Sequence, residues 1–203
     1  MIKKHINYAS CAKIIIAFSA LFAFLSCSRA PSRAEVVKSY AAAVNFSNID
    51  SLLSLFTDDA VIDFRGMGSP MRGVEERRAK AQYDSAIHSQ VTISITTSKK
   101  DTIYCRTTEI NDWTREAGLP PYDYSSFLFV IKAGKIALLQ TELADSTVVQ
   151  INGVMSLIIP WAQENRPELL DSLMAGGEFA FGARNARLMM VLLKEWRQST
   201  DAD

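Results

Sequence analysis

Three side chains could do acid–base chemistry if the fold brings them together: Tyr40, Asp63 and Glu109. A phenol can donate a hydrogen bond, and a carboxylate can give or take a proton. Each also has a plainer reading. Tyr40 sits on an apolar helical stripe, where a core tyrosine with a satisfied hydroxyl is the common case. Glu109 lies on an alternating strand, where a solvent-exposed or salt-bridged glutamate is common. Other chemistries lack their parts. His5 lies in an N-terminal apolar segment and His88 stands alone, so there is no paired ligand spacing and no metal is expected. No Gly-x-Ser-x-Gly elbow or Cys/His dyad is present. The glycine loop at 65–70 has no Gly-Lys-Ser/Thr after it, so a phosphate cradle is not expected. No cofactor is expected. With 22 basic and 22 acidic residues and no basic stripe, nucleic acid is not an expected partner.

The elements that must position these groups follow from periodicity. Val36, Val37, Tyr40, Ala43 and Val44 recur at helical spacing. Ser47 with Asp50 forms a capping-box pattern that starts a second helix, with Ile49, Leu52, Leu53 and Phe56 as its apolar face. Thr57-Asp58-Asp59 breaks that helix, and 60–64 runs extended. Residues 73–88 read as a helix with Glu75 and Glu76 in its first turn. Strands follow at 91–97, 102–113, 122–132 and 136–143, with a hairpin turn at 133–135. On the 102–113 strand, Cys105, Thr107, Glu109, Asn111 and Trp113 share one face. Alternation alone leaves both faces open. The apolar Trp113 favours a covered face, which would put Glu109 in a cavity. Cys105 reads as a buried, inert thiol. Helices first and a run of antiparallel strands after them is an α+β layout.

The pattern Tyr40, Asn45, Asp50, Leu55-Phe56, Asp58-Asp59-Ala60 and Arg72-Gly73 resembles the opening of the NTF2-like superfamily, which includes ketosteroid isomerases and SnoaL-like cyclases. The resemblance implies a cone: a curved antiparallel sheet wrapped on N-terminal helices around a pocket, here over 35–145. It puts Tyr40 on the tyrosine position of the isomerases. The base position falls on Phe64, one residue past Asp63, and the second acid's position falls near Ser125. Strand side chains alternate faces, so a one-residue offset aims Asp63 the wrong way unless a bulge intervenes. Trp113, Phe127 and Phe129 would complete a mostly apolar pocket.

The N-terminus is a different kind of sequence. Lys3 and Lys4 precede an apolar run at 14–25, too short for a comfortable span and proportioned like a secretory signal. Phe24-Leu25-Ser26-Cys27 resembles a bacterial lipobox of the relaxed Bacteroidetes form. That resemblance implies a signal peptide at 1–26, a lipid anchor on Cys27, a tether at 27–34, and attachment to the outer membrane facing the periplasm. Removing 1–26 deletes three lysines and no acid, leaving 19 basic residues against 22 acidic ones and a net charge of −3.

Residues 146–203 extend past the cone. Pro167 can open a helix that Gly176-Gly177 ends, and 183–198 is strongly apolar around Leu188 and Leu193. A helical extension packed on the domain is expected. The retained frame with displaced catalytic positions points to an envelope protein that binds a small apolar ligand or a protein partner, with pairing through the sheet as a route to a homodimer. The alternative is a SnoaL-like cyclase or isomerase using Tyr40 with Asp63 or Glu109.

Overall fold

The structure of the chain, a computed structural model, describes residues 30–175 and 179–200. The signal segment and Cys27 lie outside the described residues. Helix α1 (Arg33–Asn45) opens inside the stretch expected as a tether, because Ser32 caps it. Ser32 Oγ accepts from the Glu35 N–H at 3.3 Å, and Glu35 Oε2 accepts from the Ser32 N–H at 2.6 Å. Helix α2 (Ile49–Ser54) is started by Asn48, whose Oδ1 accepts from the Ser51 N–H at 3.0 Å. Ser47, the expected cap, instead takes the left-handed turn between the helices at φ 53°.

Strand β1 (Phe56–Phe64) begins earlier than expected: the helix ends at Ser54, and Phe56, expected on its apolar face, and Thr57 to Asp59 already belong to the strand. Helix α3 (Val74–Ala86) follows, its first turn closed by Glu76 Oε2, which accepts from the Arg72 N–H at 2.7 Å. Then come β2 (Gln90–Lys99), β3 (Thr102–Ile110), the short α4 (Asp112–Glu116), β4 (Tyr122–Lys132) and β5 (Lys135–Leu143). The strands form one curved, unclosed sheet in the order β1-β5-β4-β3-β2. Three pairs are antiparallel, while β1 runs parallel to β5, a pairing the sequence reading did not contain. Helices α1 to α3 pack on one face of the sheet. Val36, Val37, Ala81, Ile103, Phe129 and Leu139 belong to the core between them, each under a tenth exposed.

The remaining chain forms α5 (Asp145–Asn165), α6 (Pro167–Leu173) and α7 (Ala183–Thr200). Helix α5 runs unbroken through Asn152 and Gly153 and carries Pro160 inside it. These helices and α4 bury a second core around Trp113, Ile158, Leu173, Leu192 and Leu193. Helix α7 lies against α3. Among the described residues, no helix is long and apolar enough to cross a membrane.

Candidate functional site

Two local irregularities aim the side chains of the cone. Strand β3 points Ile103, Thr107 and Glu109 inward, and it stops at Ile110 because Asn111 caps α4. Asn111 Oδ1 accepts from the Thr114 N–H at 2.9 Å. On β4 the inward face is Phe127, Phe129 and Ile131 at its far end but Tyr124 at its near end. The register with β5 slips between Tyr124 and Ser126. This β-bulge sends Ser125 outward, where its hydroxyl donates to the Glu142 and Leu143 carbonyls at 3.3 and 3.2 Å.

The inward groups surround a cavity of about 40 Å³ between α1, α3 and the sheet. That is room for about three water molecules. Its walls are apolar at Phe64, Phe127 and Leu139 and polar at Tyr40, Lys80, Asp84, Ser89, Glu109 and Tyr124. Glu109 accepts from Tyr124 Oη at 2.7 Å, from Ser89 Oγ at 3.0 Å and from Asn111 Nδ2 at 3.3 Å. Lys80 Nζ donates to Asp84 at 2.6 and 2.5 Å, one turn on along α3. Both side chains are only 18% exposed, so this is not an ordinary surface pair. Arg77 closes the base. Its guanidinium donates to the backbone carbonyls of Ala60 at 2.7 Å, Arg72 and Asp58 at 3.2 Å and Thr57 at 3.4 Å.

Electrostatics sort these groups into donors and a titrating acid. Burial pushes the Asp84 carboxyl up to about 6, against the pull of Lys80 and with the Glu109 charge adding to the rise. Burial first, then the Asp84 and Glu109 charges, lifts the Tyr40 hydroxyl far above the ordinary tyrosine range. Tyr124 rises for the same reasons and through its own hydrogen bond to Glu109. Both phenols therefore keep their protons at neutral pH. Tyr40 is held edge-on to Phe129, with ring centroids 5.1 Å apart, and to Phe56 at 6.4 Å. Burial raises the Cys105 thiol to about 11, so it stays a thiol.

The structure brings Tyr40, Glu109 and Phe127 to the cavity and leaves other sequence candidates elsewhere. Asp63 does not line it. The β1–β5 register is continuous from Val61 to Phe64, so Asp63 points opposite to Ile62 and Phe64 and accepts from Gln140 Nε2 at 2.7 Å. Trp113 sits on α4 in the second core, not on a strand face with Glu109. Phe129 is fully buried behind Tyr40 in the cone core. Lys80, Asp84 and Tyr124 were not singled out. An i, i+4 lysine–aspartate pair on a polar helix reads as solvated surface, and no local signal marks the slip at Ser125. Among the described residues, no cluster of histidine, cysteine or carboxylate side chains could hold a metal ion.

The sequence matches no protein-family model and no curated protein. Solved structures are similar in fold. The epoxide hydrolase/cyclase-like enzyme SalBIII, which acts in pyran ring formation in salinomycin, is 15% identical with a TM-score of 0.50. That likeness covers 57% of this chain and 92% of SalBIII. An NTF2-like protein of unknown function from Cytophaga hutchinsonii is 9% identical, with a TM-score of 0.48 over 60% of this chain and 98% of its own. A protein of ketosteroid isomerase-like fold from Catenulispora acidiphila is 19% identical, with a TM-score of 0.46 over 56% and 88%. A curved five-stranded sheet folded on N-terminal helices, together with this likeness, identifies the chain as one with the NTF2-like fold.

Proposed function

We propose that the cone is a small-molecule site built for proton transfer, of the cyclase or isomerase type. Asp84 carries the proton, and Tyr40 is the donor to developing negative charge. One observation carries this reading: a titrating carboxyl, a second carboxyl and two protonated phenols converge on one small cavity. A carboxyl that titrates near 6 is matched to proton exchange close to neutral pH. A buried phenol that keeps its proton stabilises an enolate-like oxygen as the proton leaves carbon. SalBIII is described as an epoxide hydrolase/cyclase-like enzyme, and that description supports the same class of chemistry here.

The test uses acetone, the smallest enolisable ketone, with the full chain in deuterated buffer. Incorporation of deuterium should exceed that in buffer alone and should fall to the buffer rate in Asp84→Asn. Equal rates in buffer, native protein and variant would end the reading. Glu109 supports a second reading, ligand binding without chemistry, because its carboxylate is already engaged by three donors. Under that reading acetone would shift the Tyr40 and Tyr124 ring resonances without exchanging.

The N-terminal sequence supports lipid attachment through Cys27 and display of the cone at the outer membrane facing the periplasm. Labelled palmitate should enter the native chain in a lipoprotein-processing host and not the Cys27→Ser variant. Equal labelling would contradict the anchor.

A further inference from the structure

We propose that Phe181, supplied by the segment between α6 and α7, is a positioning residue of the cone site: it holds the Lys80 ammonium in place against Asp84. This deepens the proton-transfer reading and rests on it for its functional meaning.

A four-carbon stem leaves an ammonium free to wander unless several groups confine it. Lys80 Nζ is confined from three directions. Asp84 accepts from it on its own helix. The Phe64 ring of β1 lies under it at 5.2 Å to the centroid. The Phe181 ring lies 5.5 Å from it. Both distances suit a cation over an aromatic face. Of the three, only Phe181 comes from the extension rather than from the cone.

Phe181 is itself fixed. It stands edge-on to Tyr83 at 5.4 Å and to Phe179 at 5.8 Å, and it meets Phe64 at 6.4 Å. Phe179 also meets Tyr83, at 5.8 Å, and packs on the second core. Gly182 then turns the chain into α7 at φ 143°, a conformation side-chain-bearing residues rarely adopt, and its carbonyl accepts from the Ala186 N–H at 3.0 Å. The extension thus delivers one ring to one lysine at the wall of the cavity. The titratable groups facing Asp84 are Lys80 and Tyr83 from its own helix, Glu109 from β3, Tyr40 from α1 and Tyr124 from β4. Of these, Lys80 alone is cationic, and it is the one Phe181 holds.

The test is the titration of Asp84, followed by carboxyl-carbon NMR in the full chain. Phe181→Leu keeps apolar volume but removes the ring face. It should raise the Asp84 midpoint by roughly half a pH unit, about threefold tighter proton binding. Phe181→Tyr, which keeps the ring face, should leave the native midpoint in place. Lys80→Met marks the full effect. A Phe181→Leu midpoint equal to native, while Lys80→Met moves it, overturns the proposal. If Phe181→Leu does not fold, the Phe181→Met midpoint decides instead, and a native value there equally overturns the proposal. None of these readouts depends on turnover, so a failed acetone exchange and a failed titration are separate results.

Discussion

Tyr124 donates its hydroxyl to Glu109 Oε2 at 2.7 Å, and it reaches that carboxylate because β4 slips at Ser125. Strict alternation back from Phe129 and Phe127 would have turned Ser125 inward and Tyr124 to solvent. The bulge exchanges them, and the cavity gains a buried phenol.

Tyr124→Phe should therefore remove a hydrogen bond to a carboxylate at no change in shape. The expected loss is about 2 kcal/mol in urea unfolding. A midpoint equal to native would mean that Ser89 and Asn111 already satisfy Glu109.

Asp84 should titrate near pH 6. Its folded value lies above its unfolded one, so the fold holds this proton more tightly than the open chain does. The carboxyl then weakens the fold above about pH 6, and that penalty fades as pH falls toward 4. Glu109→Gln should lower the midpoint, because the Glu109 charge raises it. Lys80→Met should raise it, because the lysine pulls it down. Carboxyl-carbon NMR reads both, and shifts of the same sign would contradict the arrangement.

Arg77 is 4% exposed and serves four backbone carbonyls around the start of β1 and the start of α3. Arg77→Met should orphan those carbonyls and lower stability by roughly 3 kcal/mol or more. Arg77→Lys should not restore it, since a single ammonium cannot reproduce the planar fork. Full rescue by lysine in chemical denaturation would show that charge alone mattered.

Leu193 is fully buried in the second core. Leu193→Ala should lower stability by roughly 2–5 kcal/mol. Phe179 and Phe181 tie that core to Tyr83 and Phe64, so cone and extension should unfold in one transition. Two resolved transitions in calorimetry would show that the extension folds by itself.

Periodicity was enough to read the order of helices and strands, because apolar stripes at spacings of 3.6 and 2 leave little choice. Strand alternation also brought Glu109 forward, while Tyr40 came forward through the family resemblance. Periodicity failed where one residue changed the geometry. Trp113 followed an alternation that Asn111 ends by capping a helix. Asp63, by contrast, faces away from the cavity as its one-residue offset from Phe64 implied. The extension's part in the site is invisible locally, since Phe181 meets Lys80 across a hundred residues of chain. The parallel pairing of β1 with β5 is likewise a long-range choice that no local pattern encodes.

The measurement that tests the central claim most directly is the pH–rate profile of deuterium exchange into acetone by the full chain, with the buffer rate subtracted. The rate should rise through about pH 6 as Asp84 loses its proton and then level, with Asp84→Asn flat at the buffer rate. A profile without that rise, or an Asp84→Asn variant as fast as native, would contradict it.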